Sequence, residues 1–112
     1  MQNLRNRVQL IGRLGQDPIA KTLSDGKTLA TFSLATSQSY RSREGKKIND
    51  TQWHTIVAWG RIAEVVAEYL RKGKEVAVQG TLVKRKYTTQ DGKNRQVTEV
   101  TLKRLLMVGT VS

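Results

Sequence analysis

A chain of 112 residues can bury one hydrophobic core but is too short for two domains, so we expect a single domain over residues 1–112. Its 20 Lys and Arg outnumber its 9 Asp and Glu, and the formal net charge of +11 favours a polyanionic partner, whether DNA, RNA, an acidic protein or an anionic membrane surface. The sequence has no cysteine and a single histidine, His54, which excludes disulfides, thiolate ligands and a multi-histidine metal site.

The hydropathy pattern and the N-terminal sequence indicate a cytosolic protein without a membrane partner. No apolar stretch approaches the roughly 20 residues that a membrane-spanning helix needs. The chain moves from Met1 into a strand-like pattern at Arg7 to Ile11, without the features of a signal or transit peptide. Because no cysteine is available for pairing, a reducing compartment fits best. We expect neither a metal nor a cofactor.

The first third of the chain predicts a strand followed by a hairpin. Val8 to Leu14 is rich in β-forming residues and ends where Gly15-Gln16-Asp17-Pro18 stops a strand. Ile19 to Leu23 and Thr28 to Thr36 then flank Asp25-Gly26, a dipeptide that supplies the positive φ angles of a tight turn.

The middle of the chain predicts a loop, a strand and one helix. Ser37 to Asp50 is polar and basic and follows no regular period, so we expect a mobile loop in which Tyr40 is exposed. Thr51 to Trp59 is the next strand. Arg61 to Lys72 has the period of an amphipathic helix, and we expect the helix to stop at the glycine that follows.

The last third predicts a second long hairpin and completes the fold class. Val76 to Thr88 and Arg95 to Val108 flank a turn at Asp91-Gly92. Five strands with a helix between the third and the fourth is the order of the OB-fold, a Greek-key β-barrel that binds oligonucleotides or oligosaccharides. Closing so small a barrel needs sharp bends, which we assign to Gly12, Gly60 and Gly80.

Two tryptophans fall on one face of the strand before the helix. The period of two places Trp53 and Trp59 together and His54, Ile56 and Ala58 on the opposite face. The second set suits a tight barrel interior better, so we expect the tryptophans to face outward, where stacked bases would cover them. The alternative is that both are ordinary core residues and that the opposite face is solvated.

Further aromatic residues lie among cations. Tyr40 is close to Arg41 and Arg43, and Tyr87 follows Lys84-Arg85-Lys86 near the predicted hairpin tip. Cations that neutralise phosphates and rings that stack on bases together give salt-dependent, sequence-tolerant binding of single strands. Each tyrosine taken alone could equally be a chance surface residue.

The sequence gives no support for catalysis. No phosphate-binding glycine loop is present. No motif places an acid, a nucleophile or a second histidine beside His54, which we assign to packing or to a subunit interface. We therefore expect no enzymatic activity. Phe32 and Tyr69 are assigned to the core because each falls on an apolar face of its element.

Four stretches in order resemble the bacterial single-stranded DNA-binding protein family. They are VQLIGRLGQDP (8–18), LATS (34–37), TQWHTIVAWGRIAEVVAEYLRKG (51–73) and VAVQGTLVKRKYTTQDGKNRQVTEV (76–100), and they cover most of the chain. The resemblance implies an OB-fold that assembles as a homotetramer. It also implies non-sequence-specific binding of single-stranded DNA in replication, recombination and repair, in the cytoplasm and associated with the nucleoid.

The resemblance implies DNA-binding residues as well. The stacking aromatics of the family fall on Tyr40, Trp53, Trp59 and Tyr87, the residues that exposure and charge favour independently. The phosphate contacts of the family map less sharply onto this chain. Among its many cations we select Arg7, Lys21, Arg43, Arg61, Lys72, Arg85 and Lys86.

Oligomer contacts follow from the same resemblance. Asn6 and His54 correspond to the dimer contact of the family, and Ala77 to its dimer-to-dimer contact, where members often carry a larger aromatic residue. A dimer is therefore the alternative to a tetramer. The family usually adds a flexible linker and an acidic tip that recruits other proteins. No acidic residue follows Glu99, so we expect no linker, no acidic tail and no recruitment through a tail.

Two other functions stay open at this point. One is an OB-fold accessory subunit of the primosome type, which mainly recruits another protein and binds DNA secondarily. The other is an RNA-binding translation or cold-shock-like domain, for which the 2′-hydroxyl group would be the discriminating contact.

Overall fold

The computed structural model describes residues 5–108, which form six strands and one helix in a single sheet of order β1-β5-β6-β4-β3-β2. The helix follows the fourth strand and not the third, because the short second strand counts separately. The elements are β1 (Val8–Leu14), β2 (Ile19–Thr22), β3 (Thr28–Arg41), β4 (Lys47–Trp59), α1 (Arg61–Tyr69), β5 (Glu75–Thr88) and β6 (Asn94–Met107).

Two short pairings close the sheet into a five-stranded barrel. β1 meets β3 at Arg13 and Leu14, and β4 meets β6 in parallel at Ile56 and Val57. The long antiparallel hairpins β3–β4 and β5–β6 form most of the wall, and β2 pairs with β3 outside the ring. The predicted OB-fold is confirmed.

Gly12 and Gly80 lie where the wall is too tight for a side chain. A Cβ atom on Gly12 would overlap the carbonyl oxygen of Ala35, and one on Gly80 would overlap that of Thr101. The register between β5 and β6 also shifts at Gly80, which marks a bulge. Gly60 turns the chain from β4 into α1 with φ of 69°. Gly12 and Gly80 therefore permit close packing of the barrel wall, and Gly60 permits the turn into the helix.

The core is built from alternate residues of the strands. In β3 the period of two runs through Ala30, Phe32 and Leu34, all of them buried, which confirms the assignment of Phe32. Within residues 5–108 no polar or charged residue is buried. The strands contribute Leu14, Ala30, Phe32, Leu34, Ile56, Val57, Ala58, Val76, Val78, Val100 and Leu102.

Helix α1 is shorter than predicted, and one residue assigned to its buried face is exposed. It ends at Tyr69, Leu70 is already extended, and Gly73 belongs to the turn that follows. The buried positions are Ala63, Val66 and Leu70. Tyr69 lies to one side of that stripe and is exposed, so its assignment to the core was wrong. No helix within residues 5–108 is long and apolar enough to span a bilayer.

The segment from residue 37 to residue 50 is a paired hairpin arm, not a loop. β3 and β4 stay in register to Arg41 and Lys47, and Ser39 Oγ donates to Asn49 Oδ1 at 2.7 Å. The loop prediction was wrong because it relied on hydrophobic alternation. An arm that buries neither face needs no such alternation and is held by backbone pairing and cross-strand polar contacts.

Both turns predicted from Asp-Gly dipeptides are confirmed. Gly26 and Gly92 have φ of 87° and 83°, in the region that glycine adopts without strain. In the second turn Thr89 Oγ1 donates to Asp91 Oδ1, and this hydrogen bond lowers the pKa of the Asp91 carboxyl. The polar contacts within the turn thus help to fix the tip of the β5–β6 hairpin.

Candidate nucleic-acid interface

The four aromatic side chains selected from the sequence are all exposed. The exposed fraction is 53% for Tyr40, 61% for Trp53, 49% for Trp59 and 45% for Tyr87. The prediction that the tryptophans face outward is confirmed, and the alternative that they are core residues is wrong. Large apolar rings held in water are suited to being covered by a planar partner.

The exposure of the tryptophans follows from how β4 is paired. β4 has strands on both sides only near its C-terminal end, at Ile56 and Val57, and there Val57 is 8% exposed. The outward face predicted from the period of two is thus covered at Val57. Trp53 and Trp59 lie on either side of this part and pair with β3 alone. The two rings therefore flank a covered segment and stay open to solvent.

The β3–β4 hairpin carries one ring and one selected cation near its tip. Tyr40 lies opposite Ile48, six residues beyond Leu34, the last buried residue of β3. The turn is closed by backbone hydrogen bonds from the N–H of Ser42 to the carbonyl of Lys46 and from Gly45 to Ser42, both at 2.9 Å. Arg43 is exposed within that turn.

The β5–β6 hairpin repeats this combination and adds a cation that sequence reasoning missed. Tyr87 lies opposite Arg95, and Lys86 opposite Gln96. Counting outward from Asp91-Gly92 as a two-residue turn would have placed Arg95 opposite Thr88, one position from its observed partner Tyr87. A shallow groove at this tip is lined by Lys86, Tyr87, Thr88, Asn94, Arg95 and Gln96.

Arg85 differs from its neighbour Lys86 because an acid engages it. Its Nε and Nη2 atoms donate to the two carboxylate oxygens of Glu99 at 3.3 and 3.0 Å. The hydrogen bond and the negative charge of Glu99 raise the pKa of Arg85. Lys86 projects from the opposite face of β5 and is exposed. Lys86 is therefore outside this ion pair, whereas Arg85 shares its face of β5 with Tyr87.

The other selected cations lie on separate elements. Arg7 precedes β1, Lys21 lies on β2, and Arg61 begins α1. Lys72 lies in the turn before β5, where its backbone N–H donates to Asp17 Oδ1 at 2.8 Å. The hairpin tips therefore bring cations and rings together, whereas these four cations lie on other parts of the surface.

Two of the predicted oligomer contacts have partners within the chain. Asn6 Nδ2 donates to the carbonyl of Leu82 at 3.1 Å, and the Leu82 N–H donates to Asn6 Oδ1 at 2.8 Å. His54 Nε2 lies 3.0 Å from Thr36 Oγ1. Asn6 therefore ties the segment before β1 to β5, and His54 ties β4 to β3.

Ala77 lies in a different setting, an apolar groove over β1, β5 and β6. Ile11 and Leu106 line the groove and are 61% and 71% exposed. Its other apolar lining residues are Leu10, Ile62, Val65, Val78, Leu105 and Met107, of which Ile62 and Val65 belong to α1. The small side chain of Ala77 leaves the middle of this surface open.

The rings and cations of this surface are suited to noncovalent contacts. Within residues 5–108 no three His, Cys, Asp or Glu side chains cluster as they would to hold a metal ion. The rings offer flat apolar faces and the cations offer positive charge beside them. This combination suits a flexible polyanion that carries planar groups.

Comparisons with known proteins agree with this surface. Residues 5–108 match the single-strand binding protein family. The chain is 39% identical over 105 residues to the single-stranded DNA-binding protein 1 of Xylella fastidiosa. That alignment covers 93% of this chain and 77% of the relative. A solved Plasmodium falciparum SSB complex with single-stranded DNA superposes with a TM-score of 0.86 at 38% identity, over 97% of this chain and 99% of the other. The chain therefore belongs to the single-strand binding protein family.

Proposed function

We propose that this chain is a non-catalytic protein that coats single-stranded DNA without reading its sequence. Bases stack on Tyr40, Trp53, Trp59 and Tyr87, and exposed cations neutralise the phosphates between them. In this role one OB-fold domain protects single strands exposed during replication, recombination and repair. Its place of action is the cytoplasm, in association with the nucleoid.

One observation carries this proposal: two exposed indoles flank a covered segment of β4, while each long hairpin ends in a ring beside cations. Stacking does not depend on base identity, because every base has a π-face. Phosphate contacts do not depend on sequence either, because the charge of the backbone is uniform. A surface made of these two elements binds a single strand but has little means of selecting a sequence.

The experiment is a titration of intrinsic tryptophan fluorescence with oligo-dT at several salt concentrations. We expect quenching that saturates and an affinity that falls as salt rises. Unchanged tryptophan emission at a strand concentration that gel mobility shows to be saturating would overturn the stacking role. Duplex DNA of the same length is the control, and its bases are not free to stack on the rings.

Competition with oligo-U tests whether DNA is the partner. A DNA-coating protein retains oligo-dT when an equal concentration of oligo-U is present. Equal or tighter binding of oligo-U would instead support an RNA-binding domain, and oligo-dU, which differs from oligo-U only in lacking the 2′-hydroxyl, shows whether that group makes the contact.

We further propose that the chain assembles as a homotetramer, with the apolar groove around Ala77 as one of the contacts. The exposed Ile11 and Leu106 support this, because monomeric proteins rarely leave large contiguous apolar patches uncovered. Light scattering should give the mass of four chains, and Leu106→Lys should lower it. Ile19→Lys is the matched control, because Ile19 is 73% exposed but does not line the groove. A monomer in the unmodified protein would contradict the assembly.

A further inference from the structure

The exposed ring of Trp53 rests on the backbone at Gly15. Gly15 follows the last residue of β1, and an added Cβ atom there would lie 2.5 Å from Cζ3 and 2.8 Å from Cη2 of Trp53. Both atoms belong to the six-membered ring of the indole. The space that a side chain at position 15 would fill is therefore already occupied by this ring.

The backbone under the ring is held from several sides. The N–H of Gly15 donates to the carbonyl of Ser33 at 3.2 Å. The neighbouring Leu14 donates to the carbonyl of Lys74 at 3.1 Å and accepts from the N–H of Gly73 at 2.8 Å. The support is thus anchored to β3 and to the turn before β5.

The reason for glycine at position 15 is space, not backbone conformation. Gly15 does not have a positive φ, so alanine could adopt the same backbone conformation without strain. At Gly12 and Gly80 the missing Cβ makes room for a carbonyl oxygen of the barrel wall. Among the described glycines, Gly15 is the one whose Cβ would meet a tryptophan ring.

We propose that Gly15 is a positioning residue for Trp53. Because Gly15 has no side chain, the six-membered ring of Trp53 can lie directly against the backbone. The indole therefore keeps one orientation and presents its exposed face to a base. An exposed ring without such a support would lose rotamer freedom when a base stacks on it, which weakens binding. This inference rests on the proposed function, in which Trp53 stacks on single-stranded DNA.

The test is a double-mutant cycle of Gly15→Ala and Trp53→Ala, read by the affinity for oligo-dT. The methyl group in Gly15→Ala displaces the ring, and we expect affinity to fall roughly three- to tenfold, less than on removing the ring altogether. In the Trp53→Ala background the same change should have no effect, because no ring is left to displace. Gln16→Ala, at the next and exposed position, is the control and should leave the affinity unchanged.

A second readout follows the ring without DNA. In a Trp59→Phe background Trp53 is the sole tryptophan and can be excited selectively, and Gly15→Ala should shift its emission maximum and lower its anisotropy. Unaltered affinity in Gly15→Ala would overturn the proposal, and so would unaltered Trp53 emission. So would an equal loss of thermal stability on Gly15→Ala with and without Trp53, because that would mark a purely structural glycine.

The failures of the two proposals are distinguishable. If Trp53→Ala alone leaves the affinity for oligo-dT unchanged, the stacking function of Trp53 is wrong whatever Gly15 does. If Trp53→Ala weakens binding but Gly15→Ala does not, only the positioning role of Gly15 is wrong.

Discussion

The inner and outer halves of the β3–β4 hairpin are continuous in backbone but opposite in character. The inner half alternates buried residues such as Leu34 and Ile56 with partly exposed ones and forms the barrel wall. The outer half, from about residue 37 to residue 51, has no buried residue and is held by backbone pairing and contacts such as Ser39 with Asn49. One pair of strands thus supplies both the fold and part of the interface.

This difference separates the sources of stability from the sources of binding. The inner half is stabilised by apolar burial, which does not rest on the attraction between charges that salt screens. The outer half contributes little burial and leaves its charges and rings free for a ligand. Substitutions in the two halves should therefore affect different measurements.

The largest effect is expected for Leu34→Ala in the inner half. Leu34 is fully buried, and removing its side chain leaves a cavity in the core of so small a barrel. We expect the free energy of unfolding to fall by ~2–5 kcal/mol, measured by urea denaturation. The fraction that remains folded should bind oligo-dT with unchanged affinity, and a direct loss of affinity would break the separation of the two halves.

Trp59→Ala comes next and tests the boundary between the halves. Trp59 ends β4 and is about half exposed, so its removal should cost little stability but weaken oligo-dT binding by ~1–3 kcal/mol for one lost stack. Fluorescence anisotropy of a labelled strand measures it, and Trp53→Ala should behave alike. Trp59→Phe is the conservative control and should restore most of the loss. Full affinity in Trp59→Ala would remove this ring from the interface.

Lys86→Ala, near the tip of the β5–β6 hairpin, should reduce the salt dependence of oligo-dT binding. If Lys86 neutralises one phosphate, the slope of log affinity against log salt should become shallower by about 0.7 for a single strand. Arg85→Ala is the matched comparison at the adjacent position. Because Glu99 already engages Arg85, we expect a smaller change in slope there. Equal changes for the two variants would show that the ion pair opens when DNA binds.

Glu99→Gln should act in the opposite direction and more weakly. It removes one negative charge from the arm and frees the guanidinium of Arg85 for a phosphate. We expect a modest gain in oligo-dT affinity at low salt that fades as salt rises, measured by the same titration. Reduced affinity would instead show that Glu99 holds Arg85 where DNA needs it.

The sequence predicted the barrel and the β5–β6 hairpin well, but it missed the outer half of the β3–β4 hairpin. Alternation in residues such as Ala30, Phe32 and Leu34 reports burial, and Asp-Gly dipeptides report turns, so the strands and the order of elements could be found. The arm around Tyr40 could not, because strand pairing between two exposed, polar segments leaves no hydrophobic period. Tyr69 was assigned to the core because the buried face of a helix predicted from sequence alone can be wrong by one position.

The sequence allowed the residue types of the candidate site to be predicted, but not the neighbouring residues that hold its side chains in place. Exposed tryptophans on one strand face followed from parity and composition. The ion pair of Arg85 with Glu99 can be predicted only when the register of β5 against β6 is known. The contact of Trp53 with Gly15 can be predicted only when the path of the turn after β1 is known. Contacts between residues distant in sequence are set by the closed barrel, which local patterns do not encode.

The shortness of the two pairings that close the barrel has a consequence for how the chain folds. The hairpins β3–β4 and β5–β6 join neighbouring segments and can zip up early, since little loop entropy opposes them. The closing contacts at Arg13 and Leu14 and at Ile56 and Val57 link distant parts of the chain through few backbone pairs. We therefore expect the barrel to form by late docking of two hairpins, with the arms assembled before the wall is complete.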